Sequence, residues 1–225
     1  MKIQELHLFT SVPLAIQKDF YAKVLGFECF TESEQAISFQ AGQSTLHFRW
    51  SEDVSYYHFA FNIPFTQMKA ALAWVKARVA ILADGTQEII DFPAWKANAI
   101  YFKDPAGNIL EFIGRKDIPS HTNDSFSIQS ILNISEIGLP SNDVLAYRKQ
   151  LEERISVPHY SGDSPRFMAM GDPEGLFILV NQNEKLWYPT ETPAKAFPLE
   201  VIIHNQGKSF KLAVNQFAHL SLTSL

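Results

Sequence analysis

The stretch YFKDPAGNILEFIGR, residues 101–115, is typical of two strands joined by a tight turn. Asp104, Pro105 and Gly107 stand at the first, second and fourth turn positions, which is the pattern of a type I turn. The second strand carries one acid, Glu111, between apolar neighbours. A buried carboxylate costs on the order of several kcal/mol unless a cation or strong donors meet it. Glu111 is therefore a candidate metal or substrate ligand, unless its face of the strand is wet, as antiparallel sheets permit.

The hairpin closes the second of several similar rounds of strand, helix and further strands. The first round opens with the strand IQELHLFT and a helix that places Ile16, Phe20 and Val24 at i, i+4 spacing. The second opens with YYHFAFNIP and FTQMKAALAWVKARV, and the third with SIQSILNISEIGLPSNDVLAYRKQLEERI. The turn recurs as DPEG at 172–175. We predict three βαβββ modules, with a strand at 197–204 opening an unfinished fourth.

Composition and charge exclude several classes of function. The 225 residues are 46% hydrophobic and 13% aromatic, which is ample for a buried core. The net charge of -5 comes without a basic stripe, so nucleic acid is not an expected partner. The single cysteine, Cys29, excludes an internal disulfide and a cysteine-based zinc site. No apolar window reaches the roughly 18 residues of a membrane span, and we expect a cytoplasmic protein without a membrane partner.

Three segments together resemble the vicinal oxygen chelate superfamily, which joins glyoxalase I, bleomycin-resistance proteins and extradiol dioxygenases. They are DFYAKVLGFE (19–28), YHFAFNIP (57–64) and the hairpin quoted above. The resemblance covers residues 3–115 as two modules and 130–181 more weakly as a third. It implies an α+β fold in which repeated βαβββ modules form curled mixed sheets, glyoxalase-like, with the third module partly degenerate.

The domain organisation follows from this resemblance and from a polar, turn-rich segment without periodicity, RKDIPSHTNDSFS. We expect paired modules that hold a metal cup in residues 1–115. A linker at 116–129 would lead to the third module and a C-terminal extension strand in 130–225.

The resemblance also implies a divalent metal held on the cup-facing side of the strands. Carried over to this sequence, the ligands are His7, His58 and Glu111. Two imidazoles and one carboxylate suit Fe(II) or Mn(II) best, with Zn or Ni as further choices. Placing His7 at its ligand position requires a one-residue gap in the following turn, and without that gap Leu6 stands there. Thr45 occupies the position of the family's further carboxylate, so we expect no fourth ligand.

The third module departs from the ligand pattern. Glu136 falls where a first-strand ligand would stand, but the last-strand position that aligns with Glu111 is Leu179. We therefore expect that half to be metal-free.

Other residues are candidates for catalysis and for substrate binding. His47 is the candidate general base, because an imidazole exchanges protons near neutral pH. Aromatic and cationic residues near the proposed cup could line a pocket or simply pack. The candidate substrate-binding residues are Arg49, Trp50, Tyr57, Trp95 and Tyr101.

Two functions remain open from the sequence. The first is a metal-dependent enzyme that acts on a small oxygenated organic substrate, as a dioxygenase in preference to a lyase or isomerase. The second is a metal-free protein of the same fold that binds a drug or metabolite, with aromatic residues stacking on the ligand. Whether the chain is an enzyme stays open, and the resemblance is compatible with a homodimer.

Overall fold

A computed structural model describes residues 1–119 and 125–225. The predicted linker at 116–129 includes residues 120–124, which lie outside the described residues. Three βαβββ modules follow one another along the chain, and three further strands come after them, where the sequence predicted one strand at 197–204. No helix in the described ranges is long and apolar enough to cross a membrane.

The first module contains one short helix that widens into a π-helical turn. Its elements are β1 (Lys2–Thr10), α1 (Leu14–Lys18), the π turn (Asp19–Val24), β2 (Glu28–Glu32), β3 (Ala36–Ala41) and β4 (Ser44–Trp50). The widened turn rotates the buried face. Phe20 and Tyr21 are buried, whereas Ile16 and Val24, which the sequence spaces at i, i+4 with Phe20, are exposed. The i, i+4 spacing assumes 3.6 residues per turn, which the π turn does not keep.

The second module carries the hairpin with which the sequence analysis began. Its elements are β5 (His58–Ile63), α2 (Met68–Lys76), β6 (Ile81–Leu82), β7 (Ile90–Phe92), β8 (Ala97–Lys103) and β9 (Ile109–Arg115). The turn residue Asp104 is buried and accepts hydrogen bonds from Gln17 and Tyr21 at 3.1 and 2.9 Å. This turn therefore docks onto the helical segment of the first module.

The third module is followed by a short hairpin and three final strands. Its elements are β10 (Asn133–Ser141), α3 (Val144–Ile155), β11 (His159–Ser164), β12 (Phe167–Asp172) and β13 (Gly175–Asn181). The hairpin consists of β14 (Leu186–Trp187) and β15 (Thr192–Pro193). The fourth set, without a helix, is β16 (Leu199–Asn205), β17 (Lys208–Val214) and β18 (Leu220–Ser224).

The modules pair in two large mixed sheets, and the pairs are not neighbours along the chain. The seven-stranded sheet has the order β18-β17-β16-β1-β4-β3-β2, so it joins the first module to the last strands. The larger sheet has the order β11-β12-β13-β10-β5-β9-β8-β6, so it joins the second module to the third. The sequence analysis expected a cup between the first and second modules, but these two modules lie in different sheets. Leu6 of β1 pairs with Val201 of β16, and both side chains are fully buried.

Strand alternation divides the larger sheet into two faces. Phe59 and Phe61 of β5 lie in the main core, which also takes residues from the seven-stranded sheet and the helices. Ala60, between them, belongs to a smaller apolar cluster on the opposite face, together with Tyr101 and Trp187. This second face carries the candidate site.

Candidate metal centre

Three neighbouring strands of the larger sheet bring together His58, Glu111 and Glu136. Ala60 of β5 pairs with Glu111 of the parallel β9 on one side and with Glu136 of the antiparallel β10 on the other. His58 precedes Ala60 by two residues and so shares its face. Ligand atoms of the three residues all lie within 4.8 Å of one another, and all three residues are buried. Glu111, which the sequence placed among apolar neighbours, therefore has two titratable side chains beside it, those of His58 and Glu136.

His58 is held in the tautomer that a metal ligand needs. Its Nδ1 lies 3.2 Å from the carbonyl oxygen of Ile109, which can only accept, so Nδ1 carries the proton. The lone pair is then on Nε2, which lies 3.6 Å from Glu111 Oε2. Burial lowers the pKa of His58 to about 4, so the ring is neutral at neutral pH.

The two carboxylates differ in their partners. Burial raises the pKa of Glu111 well above its usual range, and the charge of Glu136 adds to the effect. The side chains of Arg115 and Tyr101 oppose this rise without cancelling it. Burial also raises the pKa of Glu136, which forms an ion pair with the buried Arg115. Arg115 Nε and Nη1 have no hydrogen-bond partner among the described residues.

These residues fit a divalent ion by distance and by charge. Two ligands at about 2.1 Å from a tetrahedral ion are about 3.4 Å apart, close to the 3.6 Å between His58 Nε2 and Glu111 Oε2. With both acids ionised, Arg115 compensates only one of the two buried negative charges. A bound cation would compensate the other, and uncompensated buried charge is strongly destabilising.

The remaining ligand position of this strand arrangement, in the last strand of the third module, holds an apolar residue. Glu136 pairs with Leu176 of the parallel β13, as His58 pairs with Ile109 of β9. Ile178 therefore occupies the position in β13 that Glu111 occupies in β9. The residue aligned from the sequence, Leu179, lies in the main core. Three protein ligands would leave coordination positions open to substrate or water.

A cavity of about 320 Å³ lies over the three ligands. The aromatic residues that line it are Phe92, Trp95, Tyr101, Phe167, Trp187 and Tyr188. Trp187, from the β14–β15 hairpin, packs with its ring centroid 5.2 Å from that of His58. Lys185 is the one cation among the lining residues. The cavity thus combines an apolar aromatic wall with a small polar floor, as small-molecule sites do.

The predicted site residues fall into three groups. His58, Glu111, Trp95 and Tyr101 lie together at the cavity. His7, His47, Arg49 and Trp50 lie on β1 and β4 of the seven-stranded sheet, where His7 clusters with His47 and Glu5. The structure therefore does not bring His7 to His58 and Glu111. Tyr57 lies in the main core, and its hydroxyl donates to the carbonyl of Pro198 at 2.7 Å.

Sequence reasoning placed Glu136 at a first-strand ligand position but expected its module to be metal-free, and it missed Arg115 and Trp187. The available signal was Glu136 itself, an acid inside the apolar strand ILNISEIGLP, to which the argument made for Glu111 applies equally. Arg115 ends the same strand as Glu111 and faces the same side four residues later. No periodic pattern marks Trp187, because a two-residue strand in a long connection carries it.

Comparisons with known proteins identify the fold. No family model and no curated protein matches the sequence. A candidate dioxygenase from Bacillus subtilis superposes with a TM-score of 0.62 at 14% identity, covering 100% of this chain and 84% of the other. A variant of glyoxalase I from Zea mays superposes with a TM-score of 0.58 at 13% identity, covering 99% and 92%.

Both similarities extend over essentially the whole chain, so they include all four sets of strands and both sheets. At such low identity a similarity establishes the fold, and the activity has to be argued from the site. This chain therefore has a glyoxalase-like fold, as the sequence motifs indicated.

Proposed function

We propose that this protein is a metal-dependent enzyme of the glyoxalase and dioxygenase type that acts on a small oxygenated organic substrate. The ligands in this proposal are His58, Glu111 and Glu136, with Glu136 in place of the predicted His7. One observation carries it: three buried ligand groups converge within 4.8 Å below an aromatic cavity. We favour dioxygenase chemistry over isomerisation, because the family's fourth ligand position holds Ile178.

The donor set narrows the choice of ion. One imidazole nitrogen and two carboxylate oxygens form a harder set than two imidazoles and one carboxylate. We favour Fe(II) or Mn(II), with Zn or Ni as further choices, because these ions also bind imidazole nitrogens and carboxylate oxygens. When bound, such an ion would stabilise negative charge on oxygens of the substrate.

The chain's own residues would bind and orient the substrate. The aromatic walls supply apolar contact and exclude water from the floor. Trp187 Nε1 is buried without a hydrogen-bond partner among the described residues, so its N–H is available to a substrate oxygen. Arg115 fixes one carboxylate oxygen of Glu136 and so limits how that side chain presents the other. Lys185 would attract an anionic substituent at the cavity wall.

Elemental analysis of protein purified without chelators or nickel resin tests the proposal. We expect bound Fe or Mn, with about one equivalent lost in Glu111→Ala and in His58→Ala relative to the wild type. Glu153→Ala, on the exposed face of α3, is the matched control and should retain the full content. Circular dichroism establishes that each variant is folded. Equal metal content in the wild type and in both cavity variants contradicts the proposal.

The second candidate function is metal-free binding of a small molecule by the same cavity. The Arg115–Glu136 ion pair favours it, because it compensates one carboxylate within the protein. The raised pKa of Glu111 favours the protonated, neutral form of the other carboxyl when no metal is bound. In that case divalent ions leave the melting temperature unchanged, whereas an aromatic ligand raises it.

We also propose a cytoplasmic location, which the free Cys29 supports, since thiols persist in reducing compartments. A homodimer remains a prediction. Light scattering after size-exclusion chromatography tests it, and a mass of 25.5 kDa would correspond to the monomer.

A further inference from the structure

A second histidine cluster lies on the seven-stranded sheet, away from the cavity. His7 of β1 and His47 of β4 are paired residues on adjacent parallel strands. Their rings stack with centroids 4.2 Å apart and planes inclined by 8°. Glu5, two residues before His7, shares their face of the sheet. The other face of these strands carries Leu6 and Phe48 into the main core, so the cluster lies on the outer side.

The three side chains bring one ligand atom each to within 4.8 Å of the others. Glu5 Oε2 lies 2.8 Å from His7 Nε2 and 3.8 Å from His47 Nε2. These distances bracket the roughly 3.4 Å expected between two ligands of a tetrahedral ion. Glu5 keeps 40% of its side chain exposed, whereas His7 and His47 keep 13% and 16%. An ion can therefore reach the cluster from solvent. An imidazole lone pair lies in its ring plane, so the two stacked rings have to tilt toward the ion when it binds.

Hydrogen bonds with neighbouring side chains orient His47 as they would orient a metal-ligating histidine. Its Nδ1 lies 2.8 Å from the Ser38 hydroxyl, which can accept the ring proton and leave Nε2 free of one. The Thr45 hydroxyl lies 2.8 Å from Nε2 and can rotate away.

The surrounding charges leave Glu5 as the carboxylate of the cluster. Glu200 lies opposite His7 on β16, but it is bonded by Lys211 at 2.8 Å and approached by Arg49 at 3.7 Å. Phe30 packs edge-on to His47 with ring centroids 6.1 Å apart and closes one side. The remaining side opens to solvent, from which water can complete the coordination.

We propose that Glu5, His7 and His47 form a second metal site, for a divalent transition-metal ion such as Zn²⁺, independent of the cavity. Two imidazoles and one carboxylate are softer donors than those of the cavity, so this site should prefer Zn²⁺, Ni²⁺ or Cu²⁺ to Mn²⁺. Bound here, the ion links β1 to β4. The proposal does not depend on a metal in the cavity.

Zn²⁺ titration against a competing chelator, at neutral pH, tests the site in the full-length His58→Ala chain. We expect one equivalent to bind. Changing a second-shell partner costs about 10- to 100-fold in affinity, so removing a ligand with an added His47→Gln should cost at least about 100-fold. An added Ser38→Ala should weaken binding about tenfold by the same reasoning. An added His219→Gln, outside both clusters, is the control and should leave the affinity unchanged.

A second measurement covers the case in which His58→Ala does not fold. In the wild-type chain, His47→Gln should remove one bound Zn²⁺ equivalent and the part of the Zn²⁺-induced rise in melting temperature that this site supplies. A His58→Ala chain that folds but binds no Zn²⁺ overturns the proposal. So does a Zn²⁺ affinity that His47→Gln leaves unchanged.

Discussion

Gly138 of β10 lies directly beneath the ring of Trp187: a Cβ built on this glycine would be 2.4 Å from Trp187 Cη2. The glycine is needed for this close approach. It lies two residues after Glu136 on the same face of β10, so it sets how closely the covering hairpin approaches the ligand cluster.

Gly138→Ala should therefore displace Trp187. We expect it to lower the ligand affinity of the cavity more than it lowers the stability of the fold. We expect at least a tenfold loss of affinity for an aromatic ligand, measured by fluorescence titration. Gly85→Ala is the matched control for an added methyl group, since nothing lies within 4 Å of its Cβ, although its positive φ adds local strain. An unchanged ligand affinity in Gly138→Ala would show that Trp187 does not shape the cavity.

Arg115→Met should destabilise the metal-free protein, because it leaves Glu136 buried without its cation. Breaking such a pair typically costs about 3–5 kcal/mol in the free energy of unfolding. The double variant Arg115→Met/Glu136→Leu should recover most of this loss, since both charges are then removed. Urea unfolding measures all three. Arg166→Met, which breaks the exposed pair with Glu184, is the control and should have little effect.

The metal-free protein should lose stability in mild acid through His58. Its folded pKa of about 4 lies below the usual 6.5, so the unfolded chain binds the proton more tightly. The contribution of neutral His58 to the free energy of unfolding is fully present above pH 6.5 and is lost as the pH falls toward about 4. The total loss amounts to up to about 3 kcal/mol. His58→Gln should flatten this part of the stability profile. The idea fails if urea midpoints of wild type and variant fall in parallel over this range.

Titration of Glu111 should change the stability of the metal-free protein with pH in the direction opposite to that of His58. Its folded pKa is raised, so the metal-free folded state binds the proton more tightly, and stability is lost as the pH rises from about 4.5 through the raised value. A bound divalent ion reverses the preference by favouring the carboxylate. Metal affinity should thus rise with pH and binding should release a proton, which calorimetry in buffers of different ionisation enthalpy detects. Affinity that is independent of pH would contradict this.

Asp104→Ala should destabilise the protein by about 2–4 kcal/mol in the free energy of unfolding. The carboxylate accepts from Gln17, Tyr21 and Asn108, and removing it leaves buried donors unsatisfied at the contact between two modules. Asp117→Ala, at an exposed pair with Lys96, is the control. A loss no larger than that of the control would show that the turn is not a docking point.

The sequence determined the elements, because they depend on local patterns. Alternation and turn residues predicted the βαβββ rounds and the hairpin around Asp104. The apolar neighbours of Glu111 marked it as a candidate ligand. The exposed Ile16 and Val24 mark the limit of this reasoning, since the π turn gives the helix another period. Gln17 and Tyr21 face Asp104 instead, and that contact lies 83 and more residues away along the chain.

Only the tertiary structure decided which modules share a sheet, and with that which residues meet. Alternation fixes the face on which a side chain lies, but strand pairing between distant segments depends on packing of both sheets at once. Because β5 pairs with β10, Glu136 joins His58 and Glu111. Because β1 pairs with β4 of its own module and with β16 on its other side, His7 joins His47 and stays away from His58. The ligand residue types could be read from the chain, and their partners followed from non-local pairing.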